Sequence, residues 1–142
     1  MAIPPLNEHG LLPPGIYPAT LGELERRFGF SAKRRDLIER GLKQVVQELI
    51  KTGVRELYIG GSFTTGKLSP GDVDAYLVTR LSAGIYSRVA EKQEFWKAQY
   101  QVDMSLAAED VEGDLEYWER WFGHTSDDPP RERGVVKLIL GR

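Results

Sequence analysis

The chain has 142 residues, with 19 Lys and Arg against 21 Asp and Glu and no cysteine. That length suits one domain, 1–142, around a single core. The balanced charge gives no global attraction for a polyanion, and the lack of cysteine excludes disulfides and thiolate metal ligands. No apolar N-terminal run has the form of a signal peptide or a membrane span, so a cytoplasmic protein with no membrane partner is expected.

The leader, "MAIPPLNEHGLLPPGIYP", is dense in Pro and Gly, which predicts an extended arm over residues 1–19 lying across the domain surface. Thr20 and Glu23 have capping-box spacing and open a short helix that ends near Phe28-Gly29. Ser31 then caps a longer helix, about Ala32 to Lys51, in which Leu37, Ile38, Leu42, Val45, Val46, Leu49 and Ile50 form an apolar stripe. Gly53 stops it. Lys33, Arg34 and Arg35 fall in the first turn, where the helix dipole costs each cation ~0.3–1 kcal/mol. A solvated charge run is the simpler account of them, and an anionic partner is the alternative.

Arg55 to Ile59 reads as a strand and Val73 to Val78 as its successor. A weaker helical pattern covers about Ala83 to Ala98. In "YQVDMSL", Tyr100, Val102, Met104 and Leu106 alternate with Gln101, Asp103 and Ser105, the period of a strand with one face buried. "EDVEGDLEYWERWF" is helical, and its Trp118, Trp121 and Phe122 are spaced as a core-facing stripe, with base stacking a second use. "TSDDPPRERG" is a loop and "VVKLIL" a last strand. His9 and His124 stand alone in loops with no second ligand at metal spacing, and neither is assigned a role. The order α-α-β-β-α-β-α-β predicts an α/β fold: a small mixed sheet with helices packed on one face and a carboxylate-bearing face open.

The stretch "LYIGGSFTTGKLSPGDVDAYLV", residues 57–78, carries the chemistry and admits two readings. Gly61 to Lys67 approaches the P-loop spacing, but a P-loop places Ser or Thr after its Lys and flows into a helix. Here Leu68 follows, and Pro70-Gly71 leads straight into a strand. In the second reading, strand "ELYIG" delivers Gly61-Ser62 into a tight turn where backbone and hydroxyl can meet phosphate oxygens. Asp72 and Asp74, two apart on the next strand, then project from one face. With Asp103 on the polar face of a later strand, three carboxylates can hold two Mg²⁺ ions roughly 3.5–4 Å apart.

This constellation resembles the nucleotidyltransferase superfamily typified by DNA polymerase β, with its Gly-Ser turn, D-x-D strand and third carboxylate on a neighbouring strand. More closely, the chain resembles a poorly characterised bacterial minimal-nucleotidyltransferase-like family, through "NEHGLLPPGIYPAT", "ERRFGFSAKRR", the 57–78 core and "RGVVKLIL". The resemblance implies Mg²⁺-dependent transfer of an NMP from an NTP to a hydroxyl of an RNA, a protein or a small molecule. Asp72, Asp74 and Asp103 would be catalytic and metal-binding, and Gly61, Ser62 and Lys67 nucleotide-binding. Many members carry an Arg three residues after the Ser, where this chain has Thr65; Lys67 is its nearest substitute, as a phosphate ligand or a solvated loop lysine. Some members are halves of toxin–antitoxin pairs, which implies a protein partner. The alternative is an inactive module that keeps the fold to bind a nucleotide or a protein. Weak non-specific nucleic-acid binding is expected, because the one dense basic cluster is Lys33 to Arg35, supplemented by Arg131 and Arg133.

Overall fold

A computed structural model describes residues 3–141; the first two positions of the expected arm lie outside the described residues. The chain runs β1 (Ile16–Ala19), α1 (Leu21–Phe28), α2 (Ala32–Asp36), a π-helical segment (Leu37–Leu42) and α3 (Lys43–Lys51). It continues through β2 (Glu56–Gly60), a 3₁₀ turn (Gly61–Thr64), β3 (Val73–Thr79), α4 (Gly84–Tyr100), β4 (Val102–Ala108), α5 (Asp114–Phe122) and β5 (Val135–Ile139). The strands form one mixed sheet in the order β1-β5-β2-β3-β4. β1 is parallel to β5, β2 is antiparallel to both β5 and β3, and β3 is parallel to β4. The fold is α/β, and among the described residues no helix is long and apolar enough to cross a membrane.

Local chemistry sets the element boundaries. The Thr20 hydroxyl accepts from the Glu23 N–H at 3.2 Å while Glu23 accepts from the Thr20 N–H at 2.9 Å, closing the expected capping box. Ser31 Oγ accepts from the Arg34 N–H at 3.3 Å, and the helix it opens runs through the π-helical segment to Lys51 without a break. Gly53, with φ +89, ends the turn that follows. α4 runs two residues past the expected end, because Gln101 takes the left-handed conformation (φ 56) and turns the chain directly into β4. Tyr100 therefore closes a helix instead of opening a strand.

Alternation along the strands divides the sheet. Leu57, Ile59, Val73, Ala75, Leu77, Val102, Met104, Leu106, Val136 and Leu138 face the main core, where Leu24, Phe28, Leu42, Val45, Leu49, Val89 and Trp96 of the helices cover them. This is the expected helical layer, and α1 to α4 supply it. α5 departs from that expectation and lies on the other face, where Phe122 joins Tyr76, Ala107 and Val135, with Tyr58 and Trp118 beside them. The cause lies in β3 and β4: past their polar starts, Tyr76 and Ala107 make the second face apolar too, and it needs its own cover. Tyr58 stacks on Tyr76 at 4.6 Å, and Tyr76 meets Phe122 at 4.7 Å.

The leader also departs from expectation, since its last four residues form the edge strand β1. "IYPA" is too short and too interrupted to show a period, and Pro18 is tolerated because an edge position can dispense with an N–H in the ladder.

A candidate metal centre beside a glycine turn

Register assembles the centre. Gly60 of β2 pairs with Asp74 of β3, and Asp74 pairs with Asp103 of β4. Neighbouring positions across parallel strands share a face, so Asp74 and Asp103 emerge together, and Asp72, two residues back, shares their side. Carboxylate oxygens from Asp72, Asp74 and Asp103 all lie within 4.8 Å of one another, and each residue is partly buried. Such a group could hold a metal ion. Its donors are all carboxylate oxygens, the chemistry that suits a hard divalent cation. Asp103, which sequence alternation alone had put on the exposed face, is the direct lateral neighbour of Asp74.

Crowding these carboxylates has an electrostatic cost. Burial, aided by the charges of Asp72 and Asp103, pushes the Asp74 carboxyl from its ordinary 3.8 up to about 6, against the opposing charges of Arg133 and Lys97. Asp72 is raised as well, first by burial and then by Asp103, with Lys97 and Lys67 pulling the other way. Lys97 Nζ lies 3.7 Å from Asp103 Oδ2.

Between pH 3.8 and about 6 the folded chain keeps the Asp74 proton that the unfolded chain releases. This group's contribution to stability therefore falls as pH rises through that window. Asp74→Asn, which cannot ionise, should gain stability relative to the metal-free parent between about pH 4 and pH 7, by on the order of 1–2 kcal/mol after discounting for screening of a partly exposed group. Urea melts in EDTA at the two ends check this; parallel pH profiles for the two proteins would show that burial does not strain Asp74.

The turn between β2 and β3 is built to let Asp74 in. Gly61 has φ +64, and a Cβ there would come within 2.9 Å of the Asp74 Cγ, so glycine is required both by the backbone angle and by the approaching carboxylate. Beyond Gly61 the chain makes only a four-residue 3₁₀ turn before the loop to β3, which rules out the helix of a P-loop.

A residue expected in a solvated charge run organises this turn. Arg34 is fully buried. Its guanidinium donates to the carbonyls of Phe63 (2.6 Å), Phe28 (3.2 Å), Thr65 (2.8 Å) and Ser62 (3.3 Å) through its two terminal nitrogens, and to Lys67 (2.8 Å) through Nε. It also lies over the Phe30 and Phe63 rings, 4.2 and 5.0 Å from their centroids. Burial lowers its pKa to about 10, leaving it charged at neutral pH. The expectation of a solvated run fails at Arg34 because four of its five partners are backbone carbonyls some thirty positions away, which residue type cannot reveal.

The expected site residues are not all in one place. Gly61, Ser62 and Asp74 border a cleft of about 660 Å³, whose other walls include Trp121, His124 and Arg133. Lys67 is exposed and not among the cleft's lining residues; its charge acts on Asp72. Trp121, expected in the core, is 47% exposed, so of its stripe only Phe122 is fully buried. Arg133 reaches the cleft because the loop after α5 folds back. The Arg133 N–H donates to the Gly123 carbonyl at 2.8 Å, its Nε donates to the Phe122 carbonyl at 3.2 Å, and His124 bridges Glu132. The available signal was its place just before β5, whose start lies beside the end of β2.

Residues 4–139 match one protein family, described as a family of unknown function (DUF6932). Neither the comparison with curated proteins nor that with solved structures returns a match.

Proposed function

The chain belongs to the family DUF6932 by the span of that match, and from its own residues we propose that it is a Mg²⁺-dependent nucleotidyltransferase, moving an NMP from an NTP to a hydroxyl acceptor. One observation carries the proposal: Asp72, Asp74 and Asp103 converge within 4.8 Å beside a glycine turn that borders an open cleft. Acidic groups alone are common on protein surfaces; the adjoining turn, with a glycine whose Cβ would strike one of the carboxylates, supports a built site.

In the reaction, the acceptor oxygen bonds to the α-phosphorus, the bond to pyrophosphate breaks, and the hydroxyl proton is released. Bound Mg²⁺ would polarise the attacking oxygen and offset the triphosphate charge. The chain's own residues have separate tasks. Asp72 and Asp74 would fix the ion site, and Asp103, with its side chain 41% exposed, would accept the released proton. The Gly61-Ser62 turn offers N–H groups and a hydroxyl to phosphate oxygens, and Arg133, beside Asp74, supplies fixed positive charge.

ATP should raise the melting temperature by several degrees with Mg²⁺ and by nothing in EDTA, because a ligand stabilises only the state that binds it. Pyrophosphate release would then separate an enzyme from a nucleotide-binding module. The absence of any metal-dependent shift with all four NTPs would reject the proposal.

A further inference from the structure

The cleft has walls beyond the Gly61-Ser62 turn and Asp74. Besides the glycine turn and Asp74, its lining includes Trp121 of α5 and His124 and Arg133 from the segment that follows α5. Its volume of about 660 Å³ lies in the range of pockets that enclose whole small molecules, and its lining includes two arginines, Arg120 and Arg133, and one acid, Asp74. Trp121 contributes an aromatic surface that the core does not consume: it meets Phe122 at 4.8 Å and Trp118 at 6.2 Å, yet is 47% exposed. Arg133 Nε donates to the Phe122 carbonyl at the end of the same helix at 3.2 Å, which ties the cation to the helix that carries Trp121.

The geometry points to a divided subsite in which Arg133 takes the phosphates and Trp121 stacks on the nucleobase, so that the ligand is a nucleoside triphosphate and not a bare polyphosphate. This rests on the nucleotidyltransferase reading of the neighbouring carboxylates and goes beyond it, naming the residues that recognise the base end. The chemistry favours the division. A cation beside a metal-type carboxylate cluster suits an anion, while an exposed indole suits a flat ring and accepts any base, because every base has a π-face. Stacking of this kind gives affinity without strong preference among the four bases.

Titrations of the whole chain with Mg²⁺ and either ATP or inorganic tripolyphosphate test the division. The parent should bind ATP about tenfold more tightly than tripolyphosphate, the scale of one base–aromatic stack. Trp121→Ala should remove that advantage while tripolyphosphate binds as before, and Trp121→Phe should restore most of it. Arg133→Gln should weaken both ligands together. Trp121→Ala binding ATP as tightly as the parent would overturn the subsite while leaving the nucleotidyltransferase reading intact. Failure of the parent to bind either ligand would overturn both. Melting curves without ligand confirm that Trp121→Ala is folded, as expected for a half-exposed side chain.

Discussion

Arg34→Met should destabilise the protein by about 3–5 kcal/mol, the scale seen when a buried charge network loses one side. Five carbonyls accept from this guanidinium, and four of them belong to the segment from Ser62 to Lys67. Methionine fills much of the volume but leaves those acceptors buried without a donor, and each such group costs about 1–3 kcal/mol unless it reaches water. The turn would relax to rehydrate, giving up part of the packing of Phe63, which is fully buried against Phe28. For a domain of this size the fall in melting temperature should be roughly 10–20 °C. Arg34→Lys keeps the charge but replaces a planar five-donor fork by three donors at one point, so it should recover less than half of the loss. A melting temperature within about 2 °C of the parent for Arg34→Met would mean that the turn stands without its guanidinium.

Asp74→Asn should remove metal-dependent ligand binding while the fold persists. Asp74 is the middle member of the cluster by strand register, between Gly60 on one side and Asp103 on the other. An amide is a weaker, uncharged ligand, and losing the carboxylate should cost metal affinity at least about a hundredfold, more than the loss of a group that only orients a ligand. Without metal the same substitution relieves the burial of a charge and, after it, repulsion from Asp72 and Asp103, so the variant should melt no lower than the parent at neutral pH. The two effects have opposite signs, which separates loss of a ligand from loss of structure. Asp72→Asn should behave alike. A full Mg²⁺-dependent ATP shift in both variants would place the ion elsewhere.

Local signals carried far in this sequence. The capping box at Thr20, the Ser31 cap, the stop at Gly53 and the alternation in Val102 to Leu106 are interactions among near neighbours, and each appears where the pattern put it. The D-x-D spacing put Asp72 and Asp74 on one side for the same reason. What was hidden depends on distant partners. Arg34 looks like any member of a basic run until the carbonyls of a turn some thirty residues away close around it. Trp121 has core spacing, but α5 has only one sheet face to cover, and that face is filled by Phe122 and Trp118. β1 has no period to read because it exists only as the neighbour of β5.

The order β1-β5-β2-β3-β4 puts the strand made last between the two made earliest. While the chain leaves the ribosome, β2, β3 and β4 can pair as they emerge, but β2 keeps one row of backbone groups unmatched and β1 has no partner until Val135–Ile139 arrives. From the emergence of β2 until Val135–Ile139 follows, the nascent chain therefore holds an open sheet edge, the form most apt to pair with a wrong strand. Final closure is an insertion between two waiting edges, and it brings Arg133 to the cleft in the same event.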